Sequence, residues 1–141
     1  LKADLPQTTF AAVESVKKAV PRAAWPRDIN VATRAFQALR IAVNQELEQL
    51  ERAVAAVPVL LRVGGRAAFI SFHSLEDRIV KQGFRALCDT RDDSPKGFPI
   101  QRQKIAHFTD LTRKPIGASE REISENPRAR SAYLRGVEKV S

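Results

Sequence analysis

The longest periodic signal in the chain runs from Asn30 to Val57. Phe36, Leu39, Val43, Leu47, Leu50, Val54 and Val57 follow one another at intervals of 3, 4, 4, 3, 4 and 3, which places them on one stripe of an α-helix. The spacing predicts a single helix of about 40 Å, capped by Asn30 and laid across a sheet by its stripe. An earlier helix is predicted over 9–20, with Phe10, Val13 and Val20 near one face and Pro21 ending it. Residues 21–29 lie between the two. Pro21 and Pro26 bracket a connector there, with Trp25 as a packing anchor, and this is the best boundary between substructures.

Beyond Val57 the pattern changes. Gly64-Gly65 ends the preceding element, and 66–72 reads as a strand. Its run Ala67 to Ile70 is apolar without alternation, as in a strand buried on both faces. Ser74 with Asp77 imitates a capping box and opens a helix to about Leu87, with Leu75, Ile79, Val80, Phe84 and Leu87 turned inward. Residues 89–99 are a loop by composition, and 100–108 a strand. Ser119 and Glu122 form a second capping box for a short helix that Asn126-Pro127 ends. Ser131 to Val140 is the final strand, with Gly136 at a bulge.

Helices alternating with buried strands are the grammar of an open α/β sheet. About three strands leave at least one hydrophobic edge unpaired, an association hazard. The chain is therefore expected to be a piece of something longer. It starts at Leu1 and holds no methionine, where ordinary usage gives about three.

Composition adds charge to this picture. The 141 residues carry 24 basic and 16 acidic side chains, a net +8, spread along the chain without a basic block. A folded basic surface facing a polyanion fits this better than a disordered basic arm. The long predicted helix places Arg34 and Arg40 near its start and Glu46, Glu48 and Glu51 later. A helix dipole prefers the reverse by about 0.3–1 kcal/mol per charge, so an anionic partner is one reason to keep arginines there. The single cysteine, Cys88, excludes an internal disulfide and a multi-cysteine metal site. The longest apolar run, Ala53 to Leu61, is broken by Pro58 and is too short for a membrane span.

Candidate chemistry concentrates at Ser71-Phe72-His73-Ser74-Leu75-Glu76-Asp77-Arg78, the junction of a strand and a helix. Ligands of open α/β sheets bind beyond the carboxyl ends of strands, which makes His73 either a substrate-contacting residue or a turn residue. Ser71, His73 and Asp77 do not read as a hydrolase triad, because no glycines flank the serine. His73 and His107 lack metal-ligand spacing. Gly64-Gly65 precedes a strand and not a helix, so it is no phosphate cradle. Asn126-Pro127 is followed by Arg-Ala, and so departs from the Asn-Pro-Pro-aromatic motif of amino methyltransferases.

Four stretches together resemble the RsmH (MraW) family of 16S rRNA cytosine-N4 methyltransferases: Thr33 to Asn44 (TRAFQALRIAVN), Gly64-Gly65-Arg66 through SFHSLEDRIVK ending at Lys81, Thr112-Arg113-Lys114-Pro115, and Asn126 to Ala132 (NPRARSA) with Leu134-Arg135. The resemblance covers nearly all of the chain. It implies the C-terminal part of a class I, Rossmann-like methyltransferase, with residues 1–29 as the end of a helical insertion domain and 30–141 as part of the catalytic domain. It implies S-adenosylmethionine as methyl donor, attacked in line by the exocyclic amine of a cytosine in 16S rRNA of the small ribosomal subunit. The family's donor-binding motifs belong to its N-terminal part, so no donor-binding residue is assigned here and the chain alone is expected to be inactive. Ser71, His73 and Ser74 are the expected border of the cytosine pocket, and Arg34, Arg40, Lys114, Arg128 and Arg130 the expected phosphate contacts. Expected partners are the rRNA, the remaining part of the same enzyme and, through the open edge, a second copy in a homodimer, in a cytoplasmic setting with no membrane and no metal. A non-catalytic rRNA-binding piece and a purely structural half are the competing readings.

Overall fold

The computed structural model describes residues 5–27, 29–90 and 106–141. The expected loop beyond Thr90 and the expected strand from Ile100 to Ile105 lie outside these. The chain forms two compact units, Leu1–Glu46 and Leu47–Ser141.

In the first unit, α1 (Thr9–Ala19) starts where Thr8 Oγ1 accepts the Ala11 N–H at 3.1 Å and ends at the extended Val20 before Pro21. A 3-10 turn, Arg22–Ala24, follows. Trp25 anchors it by donating from Nε1 to the Val20 carbonyl at 3.0 Å, with the Arg22 guanidinium 5.0 Å above its ring. Asn30 does not cap the next helix. Its Oδ1 accepts from Ala32 N, which is one turn too early, and α2 runs from Thr33 to Asn44 with Ala32 at the cap position.

The single long helix of the sequence reading is two helices. Gln45 adopts a left-handed conformation (φ 52°), its N–H bonded to the Ile41 carbonyl, and α3 (Glu46–Leu60) begins immediately after it. Arg40 spans the break with two hydrogen bonds to the Glu46 carboxylate, at 2.8 and 3.0 Å. The break accounts for the charge order that looked unfavourable. Arg40 now lies in the second half of α2, away from a positive helix end, and Glu46 and Glu48 lie in the first turn of α3, where the helix dipole favours them. The dipole argument for an anionic partner therefore falls away for Arg40. The apolar stripe divides too: Val54 and Val57 are buried, whereas Leu39 and Val43 are exposed.

The second unit is built around its last strand. β4 (Tyr133–Lys139) pairs antiparallel with β1 (Arg66–Ser71) on one side and with both β2 (Phe108–Asp110) and β3 (Ile116–Gly117) on the other. The β1–β4 register runs unbroken from Arg66↔Glu138 to Ser71↔Tyr133, and Gly136 pairs with Ala68 inside it. Gly136 is therefore a regular ladder residue and not a bulge. The irregularity lies on the other edge. Asp110 faces Val137, yet Ile116 faces Leu134, so three extra residues are looped out between β2 and β3.

Helices cover one face of this sheet. Val54 and Val57 of α3, Val80 and Phe84 of α4 (Ser74–Leu87), Phe108 and Val137 form the core. Phe69 meets Phe84 edge to face at 5.6 Å, a geometry that adds about 0.5–1.5 kcal/mol to the area buried. β1 alternates: Ala67, Phe69 and Ser71 face the core, while Ala68 and Ile70 face away, Ile70 at 62% exposure. The expectation of a strand buried on both faces is thus corrected, because among the described residues α3 and α4 cover one face and leave Ile70 on the other exposed. Leu75, expected inward, is exposed; it sits in the first turn of α4, ahead of the part that reaches the core. Lys139 closes the C-terminal end of α3 by donating from Nζ to the carbonyls of Pro58 and Leu61 at 2.8 and 3.0 Å, two acceptors the helix itself leaves unpaired.

Arg135, on the core side of β4, reaches the first turn of α4. Its Nε and Nη2 donate to the two carboxylate oxygens of Asp77 at 2.7 and 3.1 Å, with 8% of the arginine and 21% of the aspartate side chain exposed. Such a two-point pair fixes orientation as well as distance.

Two stability changes are expected. Gly83→Ala drives a methyl group into Val54 Cγ1 across the α3–α4 contact and costs about 1–3 kcal/mol of overpacking, read from urea unfolding. Arg135→Met leaves Asp77 unpaired at a half-buried site and costs roughly 2–3 kcal/mol. Equal midpoints for Arg135→Met and the native protein would mean that the pair contributes nothing.

Candidate functional site at the end of β1

The chain leaves β1 at Ser71 and enters α4 at Ser74, with Phe72 and His73 making the corner. His73, not Ser74, is the N-cap. It is extended (φ −146°, ψ 163°), and its Nδ1 accepts the Glu76 N–H at 3.4 Å, while Glu76 Oε2 accepts from the backbone of Phe72 at 2.7 Å and of His73 at 3.2 Å. The capping box is therefore His73 with Glu76. The expected Ser74–Asp77 box is displaced by one residue, because Asp77 is already engaged by Arg135.

This arrangement sets the orientation and tautomer of the ring. With Nδ1 accepting, the tautomer this arrangement selects carries its hydrogen on Nε2. Nε2 lies 3.3 Å from Glu76 Oε1 but has no hydrogen-bond partner among the described residues. An oriented ring nitrogen, buried and without a partner among the described residues, thus stands just beyond the carboxyl end of β1. Ser71 is buried at 3% exposure and donates to the Tyr133 carbonyl at 3.4 Å. Its hydroxyl faces the sheet, whereas Ser74 is exposed on the first turn of α4.

The same end of the sheet collects other predicted residues. Ser71 faces Tyr133, and the 3-10 turn Pro127–Ser131 delivers the chain to β4 there. Asn126 Oδ1 caps that turn by accepting from Arg128 N at 3.2 Å. Ala129 is buried between Arg128 and Arg130, both exposed. α5 (Glu120–Glu125) precedes it, capped by Ser119 Oγ on Glu122 N at 3.2 Å, as its sequence indicates.

Lys114 lies on the opposite edge, in the looped-out segment between β2 and β3. Asp110 Oδ1 holds that segment by accepting from Thr112 N, Thr112 Oγ1 and Arg113 N, at 2.9, 3.1 and 2.9 Å. Arg34 and Arg40 belong to the first unit; Arg34 is exposed and Arg40 is paired with Glu46. His107 is bonded to Ser141 Oγ at 2.9 Å beside the Lys139 end of β4, the far end of the sheet from His73. Burial and the Asp110 carboxylate push the Cys88 thiol up, which disfavours a nucleophilic thiolate.

Sequence reasoning missed Glu76 and the Arg135–Asp77 pair. The spacing of Glu76, three residues after His73, was a usable capping signal. Nothing local could have joined residues 58 positions apart.

The model of the MraW methylase family matches residues 2–140. Proteins named ribosomal RNA small subunit methyltransferase H are similar to this chain: one from Myxococcus xanthus (strain DK1622) is 57% identical over 141 residues, covering 99% of this chain and 46% of that protein. One from Geobacter sp. (strain M21) is 53% identical over 135 residues (95% and 43%), and one from Anaeromyxobacter sp. (strain Fw109-5) 56% identical over 135 residues (94% and 43%). The chain spans less than half the length of these relatives. With a match that includes the His73 corner, the Asp110–Pro115 segment and the Arg128–Arg135 turn and strand, the chain belongs to the MraW methylase family.

Proposed function

We propose that the chain is the C-terminal part of an S-adenosylmethionine-dependent methyltransferase that modifies the N4 amine of a cytosine in 16S rRNA of the small ribosomal subunit. The observation that carries this reading is the family match over residues 2–140, joined by relatives named as small-subunit rRNA methyltransferases. Residues 1–29 are then the end of a helical insertion domain and 30–141 the end of a class I, Rossmann-like catalytic domain, in a cytoplasmic enzyme. No helix among the described residues is long and apolar enough to cross a membrane. The open edge of β1, which pairs only with β4 among the described residues, supports a sheet continued by the rest of the enzyme or by a second copy.

The described residues do not fit the methyl donor. The β1–α4 corner, Phe72-His73, contains no glycine that would let a backbone approach a nucleoside, and Gly64, at φ 79°, turns the chain into β1 instead. S-adenosylmethionine would supply the methyl group from a site made by other residues, so this chain alone is inactive.

What these residues contribute is presentation of the base. Cytosine offers two acceptors, N3 and O2, beside its N4 amine. Nε2 of His73 is buried and unpartnered among the described residues; once the base displaces what covers it, its N–H donates to either, which turns the amine outward without taking a proton from it. Placing the amine is the larger part of the task when the reaction needs orientation more than acid–base help. The buried Ser71 supports the corner and Ser74 borders the pocket. Arg128 and Arg130 contact phosphates at that end, and Arg34, Arg40 and Lys114 elsewhere, Arg40 by exchanging its carboxylate for a phosphate.

The test uses the full native polypeptide with small-subunit rRNA, and nucleoside mass spectrometry as readout. N4-methylcytidine is the expected product; a different methylated nucleoside, or none, removes the reading. His73→Ser keeps the cap and removes the donor. It is expected to leave stability within about 0.5 kcal/mol and to lower turnover roughly tenfold or more, the worth of about 1.5 kcal/mol of hydrogen bonding. Unchanged turnover and RNA affinity would remove His73 from the pocket.

A further inference from the structure

α4 has a second face, which the core does not use. Lys81 and Arg85 are exposed and one turn apart, and with Arg113 they line a groove of about 500 Å³ between α4 and the segment that follows β2. Arg113 comes to this groove in a left-handed conformation, φ 40°. A side chain rarely adopts that region and pays for it. Here the three hydrogen bonds into Asp110 Oδ1 hold the turn. The looped-out segment thus aims a guanidinium at a helix face that already carries two cations.

The charges in the groove are not evenly matched. Arg135 lies at its floor and is neutralised by Asp77. Asp110 is occupied by its own turn, and Asp89 has a partner of its own. Among the described residues, Lys81, Arg85 and Arg113 have no carboxylate partner. Lys81 and Arg85 stand about 6 Å apart along the axis, comparable to the step between successive phosphates of a nucleic acid strand. The groove is open and mainly polar, with Phe84 and Cys88 beneath it, which suits a solvated backbone better than an apolar ligand.

We propose that this groove binds the sugar–phosphate backbone of a single RNA strand, with Lys81, Arg85 and Arg113 each contacting one phosphate. The inference deepens the rRNA reading. It places backbone contacts up to about 20 Å along α4 from His73, so that the strand is held well away from the base being presented.

Anisotropy of a short fluorescein-labelled single-stranded RNA, with the full native polypeptide and no methyl donor, measures this directly. Each phosphate contact on a single strand contributes about 0.7 to the slope of log Kd against log salt. Lys81→Gln/Arg85→Gln/Arg113→Gln is therefore expected to lower that slope by about 2, while the charge-preserving Lys81→Arg/Arg85→Lys retains it. An unchanged slope in the triple variant overturns the proposal, as does poly-glutamate competing as well as RNA of equal charge. Should circular dichroism show the triple variant misfolded, Lys81→Gln and Arg85→Gln decide singly, each lowering the slope by about 0.7 or refuting the contact. Variants that lose slope as expected, beside a native protein that methylates no rRNA, keep the groove and remove the methylation reading. One that methylates rRNA with its slope unchanged in the variants does the opposite.

Discussion

The second unit depends on one ion pair. Asp77 opens α4, Arg135 occupies the middle of β4, and their two parallel hydrogen bonds fix the helix against the strand to which the other three strands of the sheet are paired. The pair also decides which residue caps α4. With Asp77 turned to the sheet, Glu76 takes the capping role, and the His73 ring is held with Nδ1 toward the Glu76 N–H and a buried Nε2 that has no hydrogen-bond partner among the described residues. A contact that looks structural therefore sets the chemistry available at the site. It also joins two of the sequence stretches that mark the family, the one around His73 and the one ending in Leu134-Arg135.

The sheet has two unlike sides. Toward α3 and α4 it is closed by Val54, Val57, Val80 and Phe84. On the other side Ile70, Leu134 and Ile116 form a cross-strand row, with Ile70 and Ile116 exposed. A row of aliphatic side chains in water costs solvation free energy in proportion to its area, and a relative of twice the length has the material to cover it. The polar groove lies outside α4, and the His73 corner at the end of β1. On the proposed reading, base, backbone and remaining protein would be addressed by three separate surfaces of one small unit.

Local signals in the sequence located most of the elements. Thr8–Ala19, Arg66–Ser71, Ser74–Leu87 and the Ser119 cap follow from caps, prolines and periodicity. What failed was whatever depended on distant residues. The apolar stripe across Asn44–Glu46 is helical on both sides, so periodicity could not reveal a left-handed Gln45. The reversed charge order was the one visible clue, and for Arg40 and Glu46 it marked the break between two helices. The run Ala67–Ile70 lacks alternation because Ala68 is small enough to pass for a core residue, although its face is open. His73 could be singled out from its place at a strand's end, but its tautomer requires Glu76, and its frame requires Arg135, 62 residues later. Lys81 and Arg85 read as an ordinary solvated helix face until Arg113 is brought opposite them by a register shift that no local pattern encodes.

The central position of β4 has a consequence for the order of events during synthesis. It is the last of the described strands to leave the ribosome and the only one with which β1, β2 and β3 pair. Lys139, at its end, also closes α3, whose acceptors were made about 80 residues earlier. Until that residue is made, the earlier described strands lack their shared partner β4 and the Pro58 and Leu61 carbonyls lack Lys139. The unit must therefore assemble in one late step of high contact order. Up to that moment its aliphatic strands need shielding from one another and from neighbouring chains.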